Sequence, residues 1–195
     1  MKPTEDYVRR CIEEVVPLVE EISELKCDLE NFGVFPLSKE KLEKATKITG
    51  SVAGYIPGTN IFVILEESRG DENFIKILLG HEITHHAQDY SFPNFYSFKE
   101  VFDKKWKYNS ISPLTRLIEG DATLIEQELS DRYFKNAKIN FLGIPLIPQN
   151  WLMSPDYLSW AKILQKKFNG NRKDINELYT APIEELVKIF GGYEK

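Results

Sequence analysis

The chain is poor in cysteine and histidine and has no long apolar run, and each shortage excludes something. Its 195 residues include two cysteines, Cys11 and Cys27, both near the start. They are too few for a disulfide framework and too far apart for a cysteine zinc site. Both read as free thiols buried on a helix. Basic residues are not in excess: 25 Lys and Arg against 30 Asp and Glu give a formal net charge of −5 and a pI near 5.4. A nucleic-acid backbone or an anionic membrane surface would repel such a chain, so neither is an expected partner. No apolar stretch approaches the roughly 20 residues of a membrane span, and the charged N-terminus has no apolar core of a signal peptide. The expected location is the cytoplasm.

What is present is an ordinary globular mixture, 42% apolar and 28% charged. It suffices for one sizeable domain, or for two lobes around a cleft. Residues 4–29 show helical spacing of Val8, Cys11, Ile12, Val15, Val19, Ile22 and Leu25, with Pro17 expected to kink or divide the helix. A short helix is predicted after Ser38. The stretch from Val52 to Leu65 reads as two strands around the turn Pro57-Gly58-Thr59-Asn60. A helix from about Asp71 to Asp89 follows. Phe98, Phe102 and Trp106 repeat every four residues and predict the core face of a further helix. Ser112-Pro113 opens another, N-cap serine before proline at the first helical position, running to about Phe134. The remainder reads as loop (GIPLIP), then helices over 155–168 and 173–190. The expected class is α+β, mainly helical. It divides into an N-terminal helical segment (1–30), a sheet-bearing part ending in a helix (31–89) and a helical part (90–195).

That helix carries the chemistry. His81-Glu82-Ile83-Thr84-His85 places two histidines four apart with a glutamate after the first. Four helical residues turn about 400° and rise about 6 Å, so both imidazoles leave one face and can clasp one ion. Glu82 lies about 100° round from His81, beside the ion, where it can take a proton from the attacking water and pass it to a leaving amine. Zinc lowers the pKa of bound water to about 7, so a carboxylate suffices as base. Chance would produce this pattern on the order of 0.005 times in such a chain. His86 falls instead within the stripe of Ile75, Leu79 and Ile83 and reads as a hydrogen-bonded core histidine.

Two histidines leave a catalytic zinc site one protein ligand short. A third histidine on the same segment would require Gly at 88 and His at 91, where this chain has Gln88 and Ser91. No other histidine remains, so a carboxylate, or a tyrosine, must serve. Glu119 sits at the polar boundary of an apolar stripe (Leu114, Ile118, Ala122, Ile125, Leu129). Beside it, Gly120 removes a side chain where two helices must approach closely. Asp121 projects into the apolar sector, where it must either accept a hydrogen bond from a ligand histidine or pair with an arginine or backbone. Glu126 reads as a solvated charge.

On these residues the chain resembles the gluzincin clan of zinc metallopeptidases, whose type member is thermolysin. It is most similar to a group of prokaryotic proteins with HExTHxxQD followed by EGDA, here His81 to Asp89 and Glu119 to Ala122. The Tyr-x-x-Pro stretch within Leu178 to Lys195 echoes that group's tail. The resemblance covers roughly residues 50–195. It implies a zincin-like fold, a small upper β-sheet lobe whose active-site helix packs on a helical lower lobe. It also implies Zn2+ held by His81, His85 and Glu119. Thermolysin relatives carry an aspartate four residues after the ligand glutamate; here that residue is Thr123, and Asp121 would have to substitute. Their transition-state-stabilising histidine or tyrosine has three candidate counterparts, Tyr90, Tyr133 and Tyr157.

The expected function is a zinc-dependent peptide hydrolase acting on a peptide or protein, with Glu82 as catalytic base and the strand Ile61 to Leu65 as an edge for the substrate. The alternative is a zinc-binding scaffold without turnover, or a latent peptidase whose tail, Leu178 to Lys195, covers the cleft.

Overall fold

The computed structural model describes residues 3–47, 51–66, 71–106, 111–135, 139–141, 144–146 and 155–191. Helix α1 (Glu5–Ser23) starts where the Thr4 hydroxyl accepts the Tyr7 N–H at 3.3 Å, and it ends at Glu24 in the left-handed region. Its buried face is Val8, Cys11, Ile12, Val15, Val19 and Ile22, as the spacing predicts. Pro17 lies inside it without dividing it. The missing N–H removes one backbone bond, and the buried stripe on both sides outweighs that loss. Because the helix stops at Ser23, Cys27 lies beyond it and is only half-buried, whereas Cys11 is buried; both are free thiols.

Three strands follow in the order β1-β3-β2, with α2 (Lys39–Thr46) between the first two in sequence. The central strand β3 (Ile61–Leu65) pairs in parallel with β1 (Gly33–Leu37) and antiparallel with β2 (Ala53–Ile56). The expectation that Ile61 to Leu65 forms an edge is therefore corrected. Phe62, Val63, Ile64 and Leu65 are all buried, and apolar residues on both faces mark an interior strand. The edge is β2. Leu65 donates to the Val52 carbonyl at 2.9 Å, and the antiparallel alternation from that pair turns the backbone groups of Ala53 and Tyr55 away from β3. Strand β1 has no clear signal in the sequence because Pro36 interrupts it; a proline is tolerated there because β1 is the other edge.

Helix α3 (Glu72–Ser91) is capped by Asp71, whose carboxylate accepts the Phe74 N–H at 2.9 Å. It leads directly into α4 (Pro93–Lys105), and α5 (Pro113–Arg132) begins at the predicted Ser112 cap, which accepts the Thr115 N–H at 3.2 Å. Two short strands, β4 (Ile139–Phe141) and β5 (Ile144–Leu146), pair antiparallel where a loop was expected. Helix α6 (Pro155–Phe168) matches its predicted span. The final predicted helix is broken into α7 (Arg172–Glu177), a 3-10 turn (Leu178–Thr180) and α8 (Ile183–Phe190), with Pro182 preceding the last. Among the described residues no helix is long and apolar enough to cross a membrane. The class is α+β, mainly helical.

Among the described residues a small cluster of Leu42, Val63 and Leu65 joins α2 to β3, and two larger ones organise the other elements. The first of the two joins α1, the sheet and α3 with Ile125 and Leu129 of α5. The second joins Phe95 of α4 and the α5 residues Leu114, Leu117, Ile118 and Leu124 with α6, α7, the 3-10 turn and α8. Helix α4 turns Phe95 inward, while Phe98 is half exposed and makes a tilted contact with Phe102, which packs against the second cluster and meets Trp106. The aromatic period thus marks a helix and touches the core at Phe102, but the buried ring is Phe95. Gly120 does mark a close approach: a Cβ there would lie 2.9 Å from Trp160 Cβ and 3.1 Å from the Trp160 carbonyl carbon on α6. Gly120→Ala is expected to lose about 1–3 kcal/mol to overpacking, partly offset by about 1 kcal/mol of helix propensity. A lower unfolding midpoint in urea is the result to look for, and a stabilised variant would show that α6 can yield.

Candidate metal centre

Helices α3 and α5 cross at the floor of a cleft of about 890 Å³. One wall is the edge strand β2 with the end of α2; the other is α4 from Tyr96 to Lys104, and Tyr157 of α6 also lines it. From α3, His81 and His85 project onto the floor, their rings 4.7 Å apart. From α5, Glu119 meets both: its Oε2 lies 3.4 Å from His81 Nε2 and 3.5 Å from His85 Nε2. The structure thus brings together the three residues expected from the sequence, with one ligand atom of each within 4.8 Å of the others.

The donor set fits a divalent ion. Tetrahedral ligands bound at the usual 2.0–2.1 Å stand about 3.3–3.4 Å apart, close to the two spacings seen. Hydrogen-bond bookkeeping points the same way. His81 Nδ1 faces Glu126 Oε2 at 3.1 Å, and His85 Nδ1 faces Gln88 Oε1 at 3.1 Å. Both partners are acceptors, so each neutral ring carries its proton on Nδ1 and presents the Nε2 lone pair. Two lone pairs and a carboxylate then converge with no donor among them, an arrangement a cation satisfies. Imidazole and carboxylate donors accept zinc and other first-row divalent ions.

Glu126 is therefore not a solvated charge. It is buried, seven residues after Glu119. Seven helical residues turn about 700°, which returns its side chain to the face that carries Glu119. That spacing was the available signal.

Glu82 lies in the same cleft, and its Oε2 accepts the outward-facing N–H of Tyr55 on β2 at 2.8 Å. Burial raises its pKa, against the pull of His81 and His85. Asp89 ties the end of α3 to the β2–β3 turn, accepting the Tyr55 hydroxyl at 2.8 Å and the Gly58 N–H at 2.6 Å. His86 is in the core, ringed by Tyr55, Phe62 and Tyr90. Its ring nitrogens make no well-formed hydrogen bond among the described residues; burial lowers its pKa, and the Asp28 backbone opposes that shift.

Asp121 is fully buried and does not touch a histidine. It pairs with Arg172 Nη1 at 2.7 Å and accepts the Tyr179 hydroxyl at 2.8 Å and Gln88 Nε2 at 3.1 Å. Of the three tyrosines considered, Tyr90 is exposed, and Tyr133 bonds Glu21 of α1. Only Tyr157 lines the cleft, where burial and the nearby charges of Glu119 and Glu82 raise its pKa. Sequence reasoning missed Tyr96, whose hydroxyl, half-buried, donates to the His85 carbonyl at 3.3 Å and Gln88 Oε1 at 3.2 Å. The latent alternative laid the tail over the cleft; Leu178 to Phe190 packs instead into the second cluster, with Arg116 holding the carbonyls of Phe190 and Gly191. Residues 192–195 lie outside the described residues.

Charge at the centre predicts a pH dependence. Burial alone would lower the His81 pKa, but Glu119 and Glu126 override it and hold the ring well above its ordinary value. Burial alone would raise Glu119, but His85 and His81 pull it well below the usual carboxylate range. At neutral pH the ion-free protein therefore carries a proton that a divalent ion must displace. Zinc affinity should rise with pH and fall as pH drops through the raised His81 pKa, with release of about one proton near neutrality. Calorimetry in buffers of different ionisation enthalpy measures this; affinity flat from pH 6 to pH 8 is the contrary outcome.

No family model, curated protein or solved structure matches the chain.

Proposed function

We propose that the chain is a zinc-dependent peptide hydrolase of the gluzincin kind, with a zincin-like arrangement of sheet, ligand helix and second ligand helix. The observation that carries this reading is the convergence of His81 Nε2, His85 Nε2 and Glu119 Oε2 beside a buried Glu82, at the floor of an open cleft. When bound, the ion supplies Lewis acidity, polarising a carbonyl and acidifying water to a pKa of about 7. The residues do the rest. Glu82, aimed by the Tyr55 N–H, accepts the proton of the attacking water and passes it to the leaving amine; a pKa raised by burial suits both halves of that task. Glu126 and Gln88 hold the two imidazoles in the tautomer that binds an ion. Tyr157, which lines the cleft, donates in this reading to the oxygen of the carbonyl under attack. An extended substrate adds to β2, at the outward-facing backbone of Ala53 and the Tyr55 carbonyl, rather than to β3, the Tyr55 N–H being taken by Glu82.

The scaffold reading has less support. A purely structural zinc site has no use for Glu82, and a closed one would have a fourth protein ligand. The test is metal removal. Incubated with an unfolded protein, the zinc-loaded chain should cleave it, a chelator should stop cleavage, and added zinc should restore it. Zinc binding with no cleavage of any peptide would leave the scaffold.

A further inference from the structure

The amide of Gln88 stands between two sets of partners that fix its orientation. Its Nε2 donates to Asp121 Oδ2 at 3.1 Å and to the Ile118 carbonyl at 3.4 Å. Its Oε1 accepts the Tyr96 hydroxyl at 3.2 Å and faces His85 Nδ1 at 3.1 Å. An ionised carboxylate and a carbonyl only accept, so flipping the amide would set oxygen against two acceptors. Asp121 in turn is held in place by the Arg172 guanidinium, whose Nη1 lies 2.7 Å from its Oδ1, and by the Tyr179 hydroxyl, which donates to its Oδ2 at 2.8 Å. Gln88 and Asp121 are both fully buried.

We propose that Asp121 is a positioning residue for the ion site, dictating through Gln88 that His85 carries its proton on Nδ1 and offers Nε2 to the ion. The inference rests on the metal reading above and extends it. The site's competence depends on a carboxylate that touches no ligand, and that carboxylate is anchored by Arg172 of α7 and Tyr179 of the 3-10 turn. Sequence distant from the histidines thereby sets the proton position on one of them.

A double-mutant cycle on the full chain tests this, using Asp121→Asn, Gln88→Met and both together. Two quantities are read: the zinc dissociation constant by competition, and the His85 tautomer by nitrogen NMR of the ion-free protein at alkaline pH, where the rings are neutral. Each single variant is expected to weaken zinc about 10–100-fold. Each should also convert His85 from one tautomer to a mixture. Because both act along one path, the double variant should be no weaker than the worse single. Multiplying losses, or an unchanged tautomer in folded Asp121→Asn, overturns the proposal. Should Asp121→Asn fail to fold, Gln88→Met, which leaves the Asp121–Arg172 pair intact, decides alone: wild-type tautomer and zinc affinity overturn it. If wild-type protein binds no zinc, the metal reading fails, and the tautomer of the ion-free protein still reports on Asp121.

Discussion

Glu82→Gln is expected to bind zinc as the wild-type chain does and to lose hydrolysis by about 10²–10⁴-fold. The substitution keeps the shape of the side chain, and its amide oxygen can still accept the Tyr55 N–H that aims Glu82 into the cleft. It removes only the capacity to take up and return a proton. Neither histidine nor Glu119 depends on Glu82 for its orientation: His81 is held by Glu126 and His85 by Gln88. Zinc content by atomic absorption and cleavage of an unfolded protein are measured on one preparation. Cleavage persisting near the wild-type rate would remove Glu82 from the chemistry and with it the mechanism offered here.

The second large effect is on the ion. Glu119→Ala deletes the one carboxylate that meets both Nε2 atoms and leaves two neutral imidazoles on one helix. Loss of an orienting partner typically costs 10–100-fold in affinity, so loss of a direct ligand should exceed about 100-fold. Stability reports the same event. An ion at 100 times its dissociation constant stabilises the folded chain by about 2.7 kcal/mol, and the variant should forfeit the rise in melting temperature that zinc brings. A variant that melts with the same zinc-induced shift would show that Glu119 is not a ligand.

Much of this centre could be read from residue order, because its central pieces are local. Four-residue spacing on one helix places His81 and His85 together wherever that helix lies, and the lack of any histidine outside that helix turns attention to acids such as Glu119. Gly120 was legible for the same reason: a glycine in mid-helix needs a neighbour, and α6 is that neighbour. What the sequence left obscure depends on contacts between distant segments. Tyr96, Arg172 and Tyr179 reach Gln88 and Asp121 only after α4, α7 and the 3-10 turn have packed around α5. Asp121 had two readings in the sequence; the structure gives it the arginine and connects it to His85 by one intervening amide. Strands with proline, β1 and β5, lacked the alternation that reveals a strand. On α4 the apolar period was real, yet Phe95 is the buried ring and Phe98 faces outward, since periodicity does not say which neighbour a face meets.

Helix α5 belongs to both larger hydrophobic clusters, through Ile125 and Leu129 on one side and Leu117 and Ile118 on the other. Swinging β2 and α4 apart would have to shear the interior of one half or the other, so this helix acts as a shared keel rather than a hinge. The gap between the walls then keeps a set width, and selection falls to what can thread it. A space of about 890 Å³ can hold a single stretched chain and is too small for a folded domain. For a hydrolase built this way, the proteins at risk are those already unravelled.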